Sequence, residues 1–108
     1  NRLLHDRDHR VIKLLLDNPL IIERDVIAIT ARRPTRPEVM QVIAAHKKWS
    51  SRYRVRKALI CNPHTPDGIA LRLLPTLLIQ DLRFLVNSGA LLPELRTEAR
   101  ALIARRSP

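Results

Sequence analysis

Glycine, cysteine and aromatic residues are scarce in this chain of 108 residues, which has two glycines, one cysteine and three aromatic side chains. Two glycines are too few for the loops that hold phosphate groups through closely spaced glycines, so such a loop is not expected. The single cysteine excludes an intrachain disulfide and a cysteine-based zinc site. A core of Leu, Ile, Val and Ala with so few aromatics favours packed helices over a β-sandwich or barrel.

Long apolar segments are also missing. The longest, at residues 11–16 and 73–79, are flanked by charge or broken by Pro75. Both fall far short of the about 20 residues that a membrane-spanning helix needs, and the N-terminus lacks the pattern of a signal peptide. We therefore expect a cytoplasmic protein with no membrane partner. The chain begins at Asn1 and not with methionine, which leaves open that it is a segment of a longer protein.

The length predicts one domain over residues 1–108, because two halves would each be too small to bury a stable core. The sequence has no serine elbow motif and no pair of carboxylates set apart from basic neighbours. Cys61 lies close to His64, as a catalytic thiol would, but a free cysteine usually packs as a small hydrophobic side chain. We therefore expect neither enzymatic activity nor a cofactor.

Seven short helices are expected from the apolar spacing and from the residues that start and end helices. The ends are marked by Pro34, by Gly89 and by Asn-Pro pairs at 18–19 and 62–63. The expected helices cover about 3–16 and 23–31, a segment capped by Thr35, a segment capped by Ser50 or Ser51 that ends near Ile60, a segment from Thr65 to about Leu74, 77–86, and a last segment from Pro93. The side chains expected to face inward are Val11, Leu14 and Leu15, with Leu4 and Ile12 as further candidates, then Val39, Val42, Ile43, Val55, Ala58, Leu59, Leu95, Ala99, Leu102 and Ile103.

One pattern recurs along the chain. Residues 55–66 read Val-Arg-Lys-Ala-Leu-Ile-Cys-Asn-Pro-His-Thr-Pro, which is a short helix, an Asn-Pro stop and a Thr-Pro restart. Residues 82–93, 14–21 and 31–37 repeat that order more weakly, so that the stops fall at Asn18, Arg33, Asn62 and Ser88. Helical units this short must stack on one another to bury their apolar faces.

This pattern resembles the leucine-rich-variant and HEAT-like helical repeats, most closely over residues 55–74. The resemblance implies an all-α, right-handed α-solenoid of about seven short helices that binds a partner through an exposed surface. Some leucine-rich-variant proteins also carry an iron–sulfur cluster in a separate cysteine-rich segment. With one cysteine, this chain lacks the ligands for such a cluster.

The positive charge is concentrated in one segment. The formal net charge is +10, and residues 32–57 contain nine basic residues against the single acidic Glu38, a balance of +8. A concentrated patch raises the potential that a partner experiences, whereas scattered lysines mainly aid solubility. The segment predicts an anionic partner, either an acidic protein or the phosphate backbone of a nucleic acid. The candidate contact residues are Arg33, Arg36, Lys47, Lys48, Arg52, Tyr53, Arg54, Arg56 and Lys57.

Arg56, Trp49 and the histidines each have a simpler interpretation. Arg56 is also expected to form a structural bridge to an acidic residue of a neighbouring repeat. Trp49 is expected to pack in the core or between repeats, because large aromatics usually supply buried area. His5 and His9 have the i, i+4 spacing of metal ligands, but no third ligand is predicted, and we expect both on an exposed polar face. His64 is expected to have a structural role in the Asn-Pro-His-Thr-Pro turn. No metal site is therefore predicted.

Overall fold

The computed structural model describes residues 8–107, and within that range the chain is helical with no strand. Its α-helices are α1 (His9–Leu16), α2 (Glu23–Thr30), α3 (Pro37–Ala45), α4 (Lys47–Ser50), α5 (Tyr53–Cys61), α6 (Asp67–Leu73), α7 (Ile79–Ser88) and α8 (Pro93–Arg106), with a 3-10 turn at Leu74–Thr76. The all-α prediction is confirmed. There is one helix more than expected, because the single turn α4 precedes α5. The predicted start of the first helix, at residues 3–7, lies outside the described range.

The ends of the helices follow the proline and glycine signals, but the predicted N-caps are wrong. Gly89 ends α7 with a φ of 73°, a left-handed conformation that glycine adopts without a steric penalty. Arg36, Arg52 and Pro66 occupy the N-cap positions that were predicted for Thr35, Ser50 or Ser51, and Thr65. At the third of these starts, Pro66 has an extended ψ of 139°, which delays the helix by one residue. The Thr65 hydroxyl instead donates to the Leu59 carbonyl oxygen at 2.6 Å, inside the core.

The buried side of α1 also differs from the prediction. Ile12, Leu15 and Leu16 are buried, whereas the side chain of Leu14 is 74% exposed. Residues 11–16 are apolar at five of their six positions, so two overlapping sets of side chains have helical spacing. The tertiary packing buries the set that contains Leu16 and not the one that contains Leu14. Of the other predicted inward residues, Val42, Ala58 and Ile103 are half-buried, and the remainder between residues 39 and 102 are buried. Leu4 lies outside the described residues.

Two pairs of helices that are not consecutive in the chain pack together, with their C-terminal ends close to each other. α1 packs on α3 and α2 packs on α5. The C-terminal ends of α1 and α3 meet where His46 Nε2 lies 2.8 Å from Asp17 Oδ1. The C-terminal ends of α2 and α5 meet where the Asn62 side-chain amide donates to the Thr30 carbonyl oxygen at 2.8 Å. These contacts place α1 beside α3 in one row of helices and α2 beside α5 in a second.

Side-chain contacts also join α5 to the first turn of α7. The N-terminal turns of α5 and α7 meet where the Tyr53 hydroxyl donates to Asp81 Oδ2 at 2.5 Å. Two of the four stops expected from the sequence, at Arg33 and Asn62, follow the helices of the second row, α2 and α5, and a third, at Ser88, ends α7. Asn18 differs, because it follows α1 of the first row. The repeat pattern in the sequence thus aligns residues 14–21, at the end of α1, with segments that do not belong to the same row of helices.

The C-terminal helix α8 packs against α7 and α6. Arg106, at its end, donates to the carbonyl oxygens of Leu77, at 2.7 Å, and Pro75. Between residues 8 and 107, none of the helices is both long and apolar enough to cross a membrane.

Candidate functional site

The predicted contact residues are presented mainly by α5 and the segment just before it. Val55, Leu59 and Ile60 face the core and fix the helix in the fold. Their burial turns Arg54 and Lys57 outward beside α2, where Arg54 is exposed and Lys57 is half-exposed. The apolar spacing of α5 therefore decides which of its basic residues can reach a partner.

Glu23 lies between two of the arginines. Its two carboxylate oxygens are each 4.0 Å from a guanidinium nitrogen, one belonging to Arg52 and the other to Arg54. Glu23 is in the first turn of α2, where its charge also suits the helix N-terminus. One carboxylate between two arginines holds them near each other and leaves a positive balance. Sequence reasoning missed this residue, because nothing local to α2 indicates that α5 packs beside it.

A lysine and an arginine both lie over the ring of Trp49. Lys48 Nζ lies 4.6 Å from the centroid of its ring, and the Arg52 guanidinium carbon lies 5.9 Å from it. The ring itself is 2% exposed, and its Nε1 donates to the Leu16 carbonyl oxygen at 2.9 Å. Trp49 is thus a core residue, as expected. It positions cations through cation–π contacts and is not accessible for stacking on a nucleobase.

Tyr53 and Lys57 both contact Asp81 of α7. The Tyr53 hydroxyl donates to Asp81 Oδ2, accepts a hydrogen bond from the Leu78 amide at 2.9 Å, and is partly buried. Burial, together with the Asp81 carboxylate that accepts the hydroxyl proton, raises the pKa of Tyr53 above its ordinary value. Lys57 Nζ lies 3.6 Å from the other oxygen of Asp81. The structure therefore uses the Tyr53 hydroxyl to join α5 to α7.

Arg56 is a structural residue, but its partner differs from the predicted one. Its guanidinium donates to the Ser51 carbonyl oxygen at 2.7 Å and to the Thr76 hydroxyl at 3.1 Å. No acidic side chain is recorded as its ion-pair partner among residues 8–107. The predicted bridge to an acidic residue is therefore wrong. Arg56 instead holds the end of α4 against the 3-10 turn.

Arg33 and Lys57 approach Cys61 at the end of α5. Arg33 Nη2 donates to the Cys61 carbonyl oxygen at 2.7 Å. Burial raises the pKa of the Cys61 thiol, and the nearby charges of Lys57 and Arg33 oppose that rise without cancelling it. The thiol is therefore mostly protonated at neutral pH, which does not suit a nucleophile.

These contacts connect five of the predicted residues, which we call the cationic strip: Lys48, Arg52, Arg54, Lys57 and Arg33. Lys48 and Arg52 share the Trp49 ring, Arg52 and Arg54 share Glu23, and Lys57 and Arg33 both lie near Cys61. Arg54 and Lys57 line one cleft. Three of the five cations, Arg52, Arg54 and Lys57, lie near a carboxylate, which belongs to Glu23 or to Asp81, so among the described residues the strip keeps a balance of +3.

The remaining predicted contact residues lie apart from the strip or serve the fold. Arg36 is exposed at the N-cap of α3, and within residues 8–107 no hydrogen bond or ion pair joins it to the strip. Lys47 is exposed and lines a groove of about 760 Å³ between α1 and α3. Lys48 lines the same groove, together with Lys13 of α1. Sequence reasoning missed Lys13, because it lies outside the basic segment and reaches the groove only through the packing of α1 on α3.

No site for a metal ion emerges within residues 8–107, where no group of three or more His, Cys, Asp or Glu side chains is arranged to hold one. His9 is exposed on α1, and His5 lies outside the described residues. The His64 amide donates to the Asn62 side-chain oxygen at 2.9 Å, inside the turn that follows α5.

A second, smaller groove lies between α6 and the start of α8. It has a volume of about 250 Å³ and is lined by Asp67, Leu71, Pro93, Glu94 and neighbouring leucines. Its charged lining residues are all acidic, in contrast to the cationic strip.

No family model matches this chain, and neither a curated protein nor a solved structure resembles it at a significant level.

Proposed function

We propose that this chain is a non-enzymatic helical-repeat module that docks an acidic protein partner on the cationic strip. The observation that carries the proposal is the strip itself. Its cations are placed by buried or half-buried residues, but they are only weakly neutralised. An opposite charge at 3.6 to 4.0 Å is at the limit of an ion pair, and exposed pairs of that kind contribute about 0–1 kcal/mol. A partner's carboxylates can replace those contacts at little cost.

The packing of the helices supports a repeat architecture for this module. α1 packs on α3 and α2 packs on α5, with the C-terminal ends of each pair close together, and Tyr53 joins the first turns of α5 and α7. Stacked helical pairs give this arrangement. The molecule measures 46 Å along its longest axis and 23 and 20 Å along the others, as a short stack would. Thr35 and Thr65 are both buried. Each lies one residue before the N-cap of the next helix, Thr35 after α2 and Thr65 after α5, so the two positions are equivalent.

A protein partner fits the strip better than a nucleic acid does. Single-stranded nucleic acids are held by aromatic rings on which bases stack, in addition to basic side chains. Here the Trp49 ring is buried, and the Arg56 guanidinium carbon already lies over the half-buried Tyr53 ring, 5.6 Å from its centroid. Phosphate contacts through arginine and lysine remain chemically feasible, so nucleic-acid binding is the competing outcome of the test.

Titration with short, fluorescently labelled poly-L-glutamate, at low and at physiological ionic strength, tests the proposal. We expect binding that weakens with salt, because exposed charges are screened over about 8 Å at physiological ionic strength. The double variant Lys48→Gln/Arg52→Gln should weaken it about tenfold, since it removes two exposed ion pairs worth up to about 1 kcal/mol each. The matched control Arg72→Gln/Arg100→Gln removes two exposed arginines from α6 and α8 and should change binding much less.

Equal losses in both double variants would show that net charge alone attracts the probe and would overturn the proposal. Labelled duplex and single-stranded oligonucleotides provide the second arm. Tighter binding of an oligonucleotide than of poly-L-glutamate, with a steep salt dependence that Lys48→Gln/Arg52→Gln reduces, would favour the nucleic-acid function instead.

A further inference from the structure

The cleft between α2 and α5 combines an apolar floor with two cations. It has a volume of about 250 Å³ and is lined by Ile27 of α2 and by Arg54, Lys57, Ala58 and Cys61 of α5. Ile27 and Ala58 are half-buried and supply apolar surface, while Arg54 and Lys57 supply the charge. The cleft exists because α2 and α5 run side by side with their ends fixed by Glu23 and Asn62.

We propose that this cleft is the socket for a glutamate side chain of the docked partner. The inference rests on the proposed function, and it specifies where and how one acidic residue is recognised. The methylene groups of a glutamate would pack on Ile27 and Ala58, and its carboxylate would accept hydrogen bonds from Arg54 and Lys57. Such charge-assisted bonds have lengths of about 2.7–2.9 Å and are stronger than neutral ones.

Both cations are available for that exchange. Arg54 Nη1 lies 4.0 Å from Glu23 and its side chain is 75% exposed. Lys57 Nζ lies 3.6 Å from Asp81, which already accepts the Tyr53 hydroxyl. Neither distance is that of a hydrogen bond, so an entering carboxylate gains contacts that the free molecule does not make.

The size of the cleft points to a side chain and not to a larger ligand. Pockets for small molecules usually have about 300–1,000 Å³, and this cleft is slightly smaller. A free inorganic anion has no apolar part to cover Ile27 and Ala58, whereas glutamate has both an apolar and a charged part. An acidic side chain therefore uses every part of the lining.

Cys61 provides a reporter within the cleft, because it is the only cysteine of the chain and is partly exposed. Alkylation by anionic iodoacetate and by neutral iodoacetamide depends equally on the fraction of thiolate. The ratio of the two rates therefore measures the attraction of an anion into the cleft. Arg54→Gln or Lys57→Gln should lower that ratio roughly two- to fourfold, the effect of one partly screened charge at about 5 Å. The control Arg100→Gln, on α8, should leave it unchanged.

Occupancy is tested with an acetylated, amidated peptide of alternating leucine and glutamate and with its glutamine counterpart. The glutamate peptide should slow the iodoacetamide reaction of Cys61 at least twofold. The glutamine peptide should not, and Arg54→Gln/Lys57→Gln should abolish the protection. Circular dichroism of each variant checks that the fold is retained.

The two proposals fail in different ways. If the glutamate peptide binds the protein in a manner that depends on Lys48 and Arg52 while the alkylation of Cys61 stays unchanged, the socket is overturned and the cationic strip stands. If neither this peptide nor poly-L-glutamate binds, the proposed function itself is overturned. Protection by the glutamine peptide that equals that by the glutamate peptide would also overturn the socket, because it would show that apolar contact suffices.

Discussion

The Asn62 side-chain amide donates to the Thr30 carbonyl oxygen at 2.8 Å, so that the residue that ends α5 also binds the end of α2. The same nitrogen donates to the Arg32 carbonyl oxygen at 2.9 Å, and the side chain is 2% exposed. Asn18 occurs in the same Asn-Pro context but is exposed, and its side chain accepts only the Leu20 amide nearby. One dipeptide thus serves as a tertiary link in one place and as a local turn in the other.

This difference leads to the first prediction. Asn62→Ala should lower the free energy of unfolding by about 2 kcal/mol, because two carbonyl oxygens at the end of α2 lose a donor in a buried place. Asn18→Ala should cost about 0.5 kcal/mol or less, as exposed substitutions usually do. Urea unfolding followed by circular dichroism measures both. Equal losses in the two variants would contradict the assignment of Asn62 as the link between α2 and α5.

Trp49 carries the second prediction. Trp49→Phe removes the Nε1 donor to the Leu16 carbonyl oxygen and part of a buried ring, so we expect a loss of at least about 2 kcal/mol of stability. Phe84→Leu is a control that shortens another aromatic side chain, one that is 65% exposed on α7. It should change the stability by about 0.5 kcal/mol or less. A loss in Trp49→Phe no greater than in the control would show that the Trp49 hydrogen bond and packing add little.

Much of the helical pattern could be predicted from single residues, because prolines and glycines act locally. Gly89 ends α7 and Pro93 begins α8 through their own backbone preferences. The choice between Leu14 and Leu16 as the buried residue was not predictable, since both lie in a segment, residues 11–16, that is apolar at every position except Lys13. Only the direction in which α3 lies relative to α1 decides it.

The candidate site divides in the same way. The basic segment is visible in the sequence, but the roles of its members depend on contacts with distant residues. Arg56 binds Ser51 and Thr76, whereas Arg54, two positions earlier, lies 4.0 Å from Glu23 of α2 and is largely exposed. Sequence spacing places two such residues on different faces of a helix, but it does not show what each face meets.

The contrast between Arg54 and Arg56 gives the third prediction. Arg56→Gln should lower the free energy of unfolding by about 1–2 kcal/mol, because the Ser51 carbonyl oxygen and the Thr76 hydroxyl lose their donor. Arg54→Gln should leave the stability within about 0.5 kcal/mol of the parent. Binding of poly-L-glutamate should show the reverse order, with the larger loss in Arg54→Gln. Unfolding and titration of both variants check the two halves, and a larger binding loss in Arg56→Gln would contradict the structural role.

Tyr53 gives the fourth prediction, which concerns alkaline pH. The folded state raises the pKa of Tyr53 above its ordinary value of 10.0, through burial and through the hydrogen bond to Asp81. Above pH 10 the unfolded chain therefore releases the phenolic proton while the folded chain still holds it. The folded state then binds more protons, so the stability must fall as the pH rises from 10.0 through the folded pKa. Below pH 10 this contribution is fully present.

Because Tyr53 is the only tyrosine, its ionisation can be followed directly by ultraviolet absorbance of the folded protein. We expect a midpoint above 10.0, and a stability difference between the parent and Tyr53→Phe that shrinks as the pH is raised beyond that value. The comparison with Tyr53→Phe removes the contribution of lysines, which titrate in the same range in both proteins. A midpoint at or below the ordinary value would mean that the Tyr53 hydroxyl does not donate to Asp81 in solution. Of the two contacts that Asp81 of α7 makes with α5, the one with Lys57 would then remain.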